Sequence, residues 1–312
     1  MKIKIITLFF IIIAPVVMYG QEFKMAATSQ YLTENPFVIS AAYAGIGEFY
    51  ELRFTGETQW LGVKDAPQTQ SVSFDGRIAD QSGMGIIIFN DKNRNTSQKG
   101  GQVSYAHHLT LSEYNNQFLS FGLSYKFTNF NIDISDINSS DPTVQSYNEI
   151  NSNFDLGFLY RLESFFFSFN AVNILERKIK PAILSEPANI RNYYFYSGFV
   201  LKSRFTSLEF EPSVFYQIYE SDGRSSADLN FKIRKMTGKN YIWAGLSLRM
   251  LADQNFQPNS IAPLFGLKQN KFYVAYSFNA SLNELQNYNA GTHMLTLGFD
   301  FDGRESPCRC VN

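Results

Sequence analysis

Cysteine is nearly missing from the 312 residues: there are two, Cys308 and Cys310, both within the last five positions. A fold of this size cannot be stapled by them. Two thiolates are also too few for a closed zinc site, and a bridge across one residue is strained, so the pair reads as thiols on a flexible tail. Histidine is equally scarce, with His107, His108 and His293. Neighbours on a strand point to opposite faces, so His107 and His108 cannot share an ion there. No nucleophile–base pair can be assembled from these residues, and no cofactor, metal or catalytic residue is expected: the chain does not read as an enzyme. Charge of either sign is not in excess, at a net −1, and no basic face is evident, which excludes nucleic acid as a partner. After the first twenty residues no run approaches eighteen apolar positions, which excludes a transmembrane helix.

The first twenty residues read as a secretory signal peptide. Lys2 and Lys4 supply the positive start, Ile5 to Val17 the apolar core, and Gly20 a small residue before the cut. A retained anchor is the alternative, although the apolar run is short for a full span.

Aromatic residues are abundant, with 30 Phe and 18 Tyr against 2 Trp. They favour strands and the rims of a membrane-embedded wall; an aromatic-rich soluble sandwich is the competing class. Alternation with a period of two runs along much of the chain. Phe154, Leu156, Phe158, Tyr160 and Leu162 form one face of a segment whose other face is Asp155, Gly157 and Arg161, with Leu159 the exception. Leu208, Phe210, Val214, Tyr216 and Ile218 alternate with Glu209, Glu211, Ser213 and Gln217. The segments at 240–250 and 291–301 alternate in the same way. Pro212 inside one of these segments requires a bulge or a strand end.

Fourteen segments are predicted, at roughly 49–60, 70–79, 83–90, 100–111, 117–130, 151–161, 165–174, 192–201, 207–219, 227–235, 240–250, 260–268, 271–281 and 291–301. Their connections alternate long and short: 61–69, 91–99, 131–150, 175–191, 220–226, 251–259 and 282–290 against 80–82, 112–116, 162–164, 202–206, 236–239 and 269–270. Long surface loops, short periplasmic turns and an even strand number are the marks of an outer-membrane barrel, and a sandwich has no reason to keep them in step. The fold class is therefore all-β, a single antiparallel transmembrane barrel of about fourteen strands. Polar positions would face the lumen, with Glu209, Glu211, Lys232, Arg234 and Arg249 as its charged lining, because an Arg or Lys facing lipid at the midplane costs about 2–4 kcal/mol. The organisation expected is a leader at 1–20, an irregular segment at 21–48, the barrel at 49–301 and a short periplasmic tail at 302–312. The 21–48 segment would plug the barrel or lie across its periplasmic mouth, since Phe37, Val38, Ile39 and Tyr43 would otherwise face water.

Other motifs carry little. Asp91-x-Asn93-x-Asn95 imitates the start of a calcium loop but lacks the later Gly and the closing Glu, with Gln102 in that place. The Ser/Asn-rich acidic loop from Asn131 to Ile150 reads as a solvated surface loop.

The stretch from Asn35 to Thr69 is more specific. It holds Asn35-Pro36, Ala42-Tyr43-Ala44-Gly45, Gln59-Trp60-x-Gly62 and Ala66-Pro67-x-Thr69, preceded by Gln30-Tyr31. In this order and spacing they resemble the N-terminal signature of the PorP/SprF family, outer-membrane proteins of the type IX secretion system. The chain departs from the family where Ser40-Ala41-Ala42-Tyr43 replaces the more usual Asn-Pro-Ala-Tyr. The resemblance implies a non-enzymatic barrel in the outer membrane of Bacteroidota. It would assist secretion or surface anchoring of a large cargo, often an adhesin with a C-terminal sorting domain, in cells that can show gliding motility. Its implied partners are that cell-surface adhesin, other type IX secretion components and outer-membrane lipid. Asn35, Pro36, Tyr43, Ala44, Gly45, Gln59, Trp60, Gly62, Pro67 and Thr69 are the candidate structural or docking motif. The alternative function is a passive or substrate-specific transporter in which the 21–48 segment acts as a hatch.

Overall fold

The computed structural model describes residues 29–133, 146–175 and 191–302. The leader, the start of the 21–48 segment, the middle of the acidic loop and the cysteine-bearing tail lie outside these residues. Fifteen strands form one antiparallel sheet: β1 (Phe49–Thr58), β2 (Gln68–Ala79), β3 (Ser82–Asn93), β4 (Thr96–Ser112), β5 (Gln117–Ile132), β6 (Tyr147–Leu162), β7 (Phe165–Val172), β8 (Asn192–Phe199), β9 (Leu201–Lys202), β10 (Leu208–Tyr219), β11 (Ser225–Thr237), β12 (Asn240–Leu251), β13 (Gln257–Gln269), β14 (Phe272–Ser281) and β15 (Thr292–Asp302). Apart from β8 and β9, which both pair with β10, each pairs with its sequence neighbours, and β15 pairs with β1 from Phe49↔Asp302 to Thr58↔His293. The sheet closes on itself. Because β8 and β9 lie end to end against β10, they are two pieces of one strand, and the wall is a fourteen-strand barrel.

The alternation read from the sequence sets which side chain faces where. In β15, Met294, Thr296 and Asp300 are buried inside, while Leu295, Leu297 and Phe301 are exposed on the outer wall. In β5, Ser120, Ser124, Lys126 and Thr128 point inward, and Phe121, Leu123, Tyr125 and Phe127 point outward. Outer-face aromatics meet across neighbouring strands, as in Phe272–Phe299 at 5.0 Å and Phe169–Phe195 at 5.1 Å, which is how a half-exposed sheet gains cross-strand stability.

Two expectations change. The long connection at 91–99 is a two-residue turn, because β3 and β4 continue as a ladder to Asn93↔Thr96. The polar residues there extend the strands rather than loop away, and Asp91 is tied to Thr69 (Oγ1 to Oδ1, 2.5 Å). Pro212 lies at neither a strand end nor a bulge. It sits within β10, paired with Phe231, and its missing N–H faces the break between β8 and β9. There Val200 N turns away to Ser164 O (2.8 Å). The neighbouring strand is thus interrupted where proline offers it no donor. Pro263 behaves alike: the β13–β14 ladder runs from Ile261↔Ala280 to Leu264↔Ser277 and skips the two residues between.

Every strand of the wall has one end at the mouth that carries the longer connections, such as 59–67 and 282–291, together with the two-residue β3–β4 turn, and the other at the mouth with the tight turns 80–81, 163–164, 238–239 and 270–271. The two mouths of the barrel are therefore distinct.

Candidate functional site

The inside of the wall is met by the chain's own residues before β1. Three 3-10 turns, η1 (Ser29–Leu32), η2 (Pro36–Val38) and η3 (Ala41–Tyr43), make up this inner segment. Pro36 starts η2 with its φ already fixed and no N–H to satisfy. Ser40 caps η3, its Oγ accepting from Ala42 N at 3.2 Å. Ala41, Ala42 and Ala44 have no bulk to keep them from the wall, and the wall answers with glycine. A Cβ at Gly122 would lie 2.7 Å from Ala41 Cβ.

Hydrogen bonds fix the path of the segment. Along β2, Gln30 Nε2 donates to Ser71 Oγ (2.8 Å), Asn35 Nδ2 to Ser73 Oγ (2.9 Å) and Gly45 N to Asp75 Oδ2 (3.0 Å). These are successive inward positions of one strand. Along β11 the order repeats. Tyr31 OH donates to Asp228 Oδ2 (3.0 Å) and accepts from Asn230 Nδ2 (3.1 Å), and Glu34 meets Lys232 and Arg234. Thr33 Oγ1 contacts Thr296 Oγ1 (3.3 Å). Near the far end, the Ala44 carbonyl accepts from His108 Nε2 (3.0 Å). A carbonyl cannot donate, so Nε2 carries the proton and Nδ1 accepts from Ser120 Oγ (2.8 Å). His107 faces the other way and bonds Ser82.

Apolar packing adds to the polar rungs. Tyr31, Leu32 and Ile39 join Val172, Tyr194, Tyr196, Phe215, Trp243, Leu264 and Tyr273 in one buried cluster. The Tyr31 ring lies 4.7 Å from Phe215 and 5.2 Å, edge-on, from Tyr196. Phe37 and Ala44 pack with Ile87 and Ala106 in a second cluster. Burying a side chain such as Leu32, Phe37 or Ile39 stabilises by about 1.5–3 kcal/mol each. Val38 and Tyr43 touch both clusters.

Several ion pairs lie inside the barrel. Glu34 Oε1 sits 2.9 Å from Lys232 Nζ and 2.6 Å from Arg234 Nη2. Lys232 also meets Glu211 (3.0 Å) and Arg234 meets Glu209 (2.8 Å). Arg249 grips Asp228 through Nε and Nη2, both at 2.7 Å. Arg53 bonds Asp300 (2.6 Å) and Glu51 (3.0 Å), Lys268 joins Asp300, and Lys126 bonds Asp155 (2.8 Å). All five residues expected to line the lumen do so. Among the described residues no three His, Cys, Asp or Glu side chains gather as a metal site.

The signature residues fall in two places. Asn35, Pro36, Tyr43, Ala44 and Gly45 are in the inner segment, whereas Gln59, Trp60, Gly62, Pro67 and Thr69 sit at the β1–β2 connection on the long-loop mouth. Gln59 N donates to Pro67 O (2.9 Å), and Gln59 Nε2 donates to Glu57 Oε1 (2.9 Å). Leu61 N donates to Gly291 O and Ala290 N to Leu61 O, both at 2.9 Å, which ties this loop to the β14–β15 connection. Trp60 (φ +47°) and Gly62 (φ +97°) are left-handed, and Trp60 remains exposed at the rim.

Residues 20–299 match the family described as type IX secretion system membrane protein PorP/SprF. The chain belongs to the PorP/SprF family. Its place is accordingly the outer membrane, within type IX secretion, where family members associate with other secretion components and cargo. No curated protein sequence matches this PorP/SprF chain. Among solved structures, the CymD monoaromatic hydrocarbon channel is similar at TM-score 0.50 and 10% identity, covering 90% of this chain and 94% of that one. The outer membrane protein Omp33 of Acinetobacter baumannii is similar at TM-score 0.46 and 11% identity, over 82% and 99% of the two chains. At such identities the likeness is one of fold alone, an outer-membrane β-barrel.

Proposed function

We propose that this PorP/SprF barrel assists secretion or surface anchoring of a large secreted protein, such as an adhesin with a C-terminal sorting domain, and through that adhesin serves gliding motility. It acts without catalysis and without passing the cargo through its own lumen. The carrying observation is the inner segment: residues 29–46 cross the barrel and bond to β2, β4, β11 and β15, so they act as a plug. The cargo then docks from the long-loop side, where Gln59, Trp60, Gly62, Pro67 and Thr69 shape a rim. Asn35, Pro36, Tyr43, Ala44 and Gly45 are the architectural half of the signature.

A pull-down from outer membranes of the native host, using a tag placed after Phe301, tests this. A large surface protein retained through its C-terminal domain is expected, at near-equal amount. Recovery of the barrel alone in mild detergent would defeat stable anchoring. A second reading, transport of a small hydrophobic solute with the segment as a hatch, draws on the aromatic cluster of Tyr31, Tyr194, Tyr196 and Phe215. Solute uptake by liposomes holding the purified barrel would support it.

A further inference from the structure

We propose that the inner segment is threaded through the barrel with its Ser29 end at the mouth that faces the cell exterior and its Gly45 end at the periplasmic mouth. This goes beyond the plugging role, which is indifferent to the direction of the thread.

The direction follows from the order of the rungs. In β2, residue numbers rise from the long-loop end at Gln68 to the tight turn at 80–81. Gln30, Asn35 and Gly45 bond Ser71, Ser73 and Asp75 in that same order. In β11, numbers likewise rise from the long-loop side at Ser225 to the turn at 238–239. Tyr31 bonds Asp228, while Glu34 bonds Lys232 and Arg234, four and six residues farther along. Two independent walls give one direction.

The two ends agree. Gly45 lies against the tight-turn end of β2 and β3: its position is such that a Cβ would be 2.8 Å from Gly83 Cα and 2.9 Å from Gly76 O. Ser29, by contrast, lines a polar cavity of about 150 Å³ together with Gln59, Trp60, Asn259 and Ser281, all at long-loop ends of their strands. Ser260 and Ser277 also face this cavity and, like Ser29 itself, are buried, so the cavity at the Ser29 end is polar. In an outer-membrane barrel the long loops lie outside and the short turns in the periplasm.

A consequence follows for gating. A segment joined to β1 at the periplasmic mouth, with its other end outside, cannot swing into the periplasm as a hatch unless that end is first drawn back through the barrel. A partner arriving from outside, however, can reach it directly.

The test is cysteine accessibility in intact cells, in a background carrying Cys308→Ser and Cys310→Ser. Single variants Ser29→Cys, Tyr288→Cys at the long-loop mouth and Tyr114→Cys at a tight turn are treated with a membrane-impermeant cationic methanethiosulfonate, before and after permeabilising the outer membrane. Tyr288 and Tyr114 are both well exposed, and Ala27→Cys, upstream of the described residues, gives a second reading of the same end. Heat-modifiable migration on gels verifies that each barrel is folded. We expect Ser29→Cys and Ala27→Cys to react in intact cells with Tyr288→Cys, and Tyr114→Cys to react at least tenfold more slowly until permeabilisation. If the cysteines at 29 and 27 react only after permeabilisation, like Tyr114→Cys, the thread is reversed and the proposal fails. Failure of both to react under either condition would equally overturn it, because that end would then be reachable from neither side. Reaction of Tyr114→Cys but not Tyr288→Cys in intact cells would overturn the orientation on which it stands.

Discussion

Gly45→Val is expected to leave a folded barrel whose inner segment no longer seats. Gly45 has φ +71°, a region that a β-branched residue essentially never occupies, and holding one there costs about 1–3 kcal/mol. The new Cβ would also meet backbone at 2.8 Å (Gly83 Cα) and 2.9 Å (Gly76 O), atoms that cannot rotate away, for a further cost of about 1–3 kcal/mol. Unseating in addition strips the buried Asp75 of the amide it accepts from. At about 1.4 kcal/mol per tenfold, the two costs raise the unseated population roughly 30-fold to about 20,000-fold. Limited proteolysis of residues 29–46 in the folded, heat-modifiable barrel measures it. A cleavage rate unchanged from the original chain would mean that the close contacts at Gly83 and Gly76 carry no weight.

The second large effect is expected from Glu34→Arg. Five charged side chains meet here: Glu34, Glu209 and Glu211 against Lys232 and Arg234. Removing the carboxylate alone, as in Glu34→Gln, leaves Lys232 paired with Glu211 and Arg234 with Glu209 and Glu211, so the loss is about 1–3 kcal/mol. Reversing its sign puts three cations together in a site largely closed to water. That should cost at least the roughly 3–5 kcal/mol of a broken buried pair. Glu34 also sits at φ +57°, a strained backbone that its ion pairs help to hold. Restoring charge balance with Lys232→Glu in the same chain should recover part of the seating. Denaturant-free proteolysis of the single and double variants reads the difference; equal protection in Glu34→Gln and Glu34→Arg would show that the ion cluster does not hold the segment.

The barrel was legible in the sequence because one physical requirement acts on every strand: a lipid-facing and a lumen-facing residue must alternate. That placed Leu295, Leu297 and Phe301 outside and Glu209, Glu211, Lys232, Arg234 and Arg249 inside. The ends of strands were less legible. Polar residues in 91–99 suit both a loop and a strand that continues past the membrane, so the long β3–β4 ladder was read too short. The partners of the inner segment were missed altogether. Glu34 stands between Thr33 and Asn35 with no periodicity to mark it, and its contacts lie some two hundred positions away. A signal was nevertheless available. Tyr194, Tyr196, Phe215, Trp243 and Tyr273 all occupy lumen-facing positions, and large aromatics there imply that something other than water fills the space. Leu159, the exception in its own strand, belongs to the same inward set and is fully buried.

These inward aromatics also separate the two halves of the signature. Tyr43, Ala44 and Gly45 are explained by packing: Tyr43 touches both buried clusters, Ala44 lies with Ile87 and Ala106, and Gly45 lies against Gly76 and Gly83. The Gln59–Thr69 group is explained only as far as its shape: backbone bonds to the β14–β15 connection hold Trp60 at the rim without burying it.

Planar-bilayer conductance of the purified barrel tests the central claim, a lumen closed by the chain's own segment, most directly. The unaltered chain is expected to show no sustained open-channel current, while Gly45→Val and Glu34→Arg show steady steps of porin-like size. A sustained current through the unaltered chain, equal to that of the two variants, would contradict the account and leave the barrel as a channel.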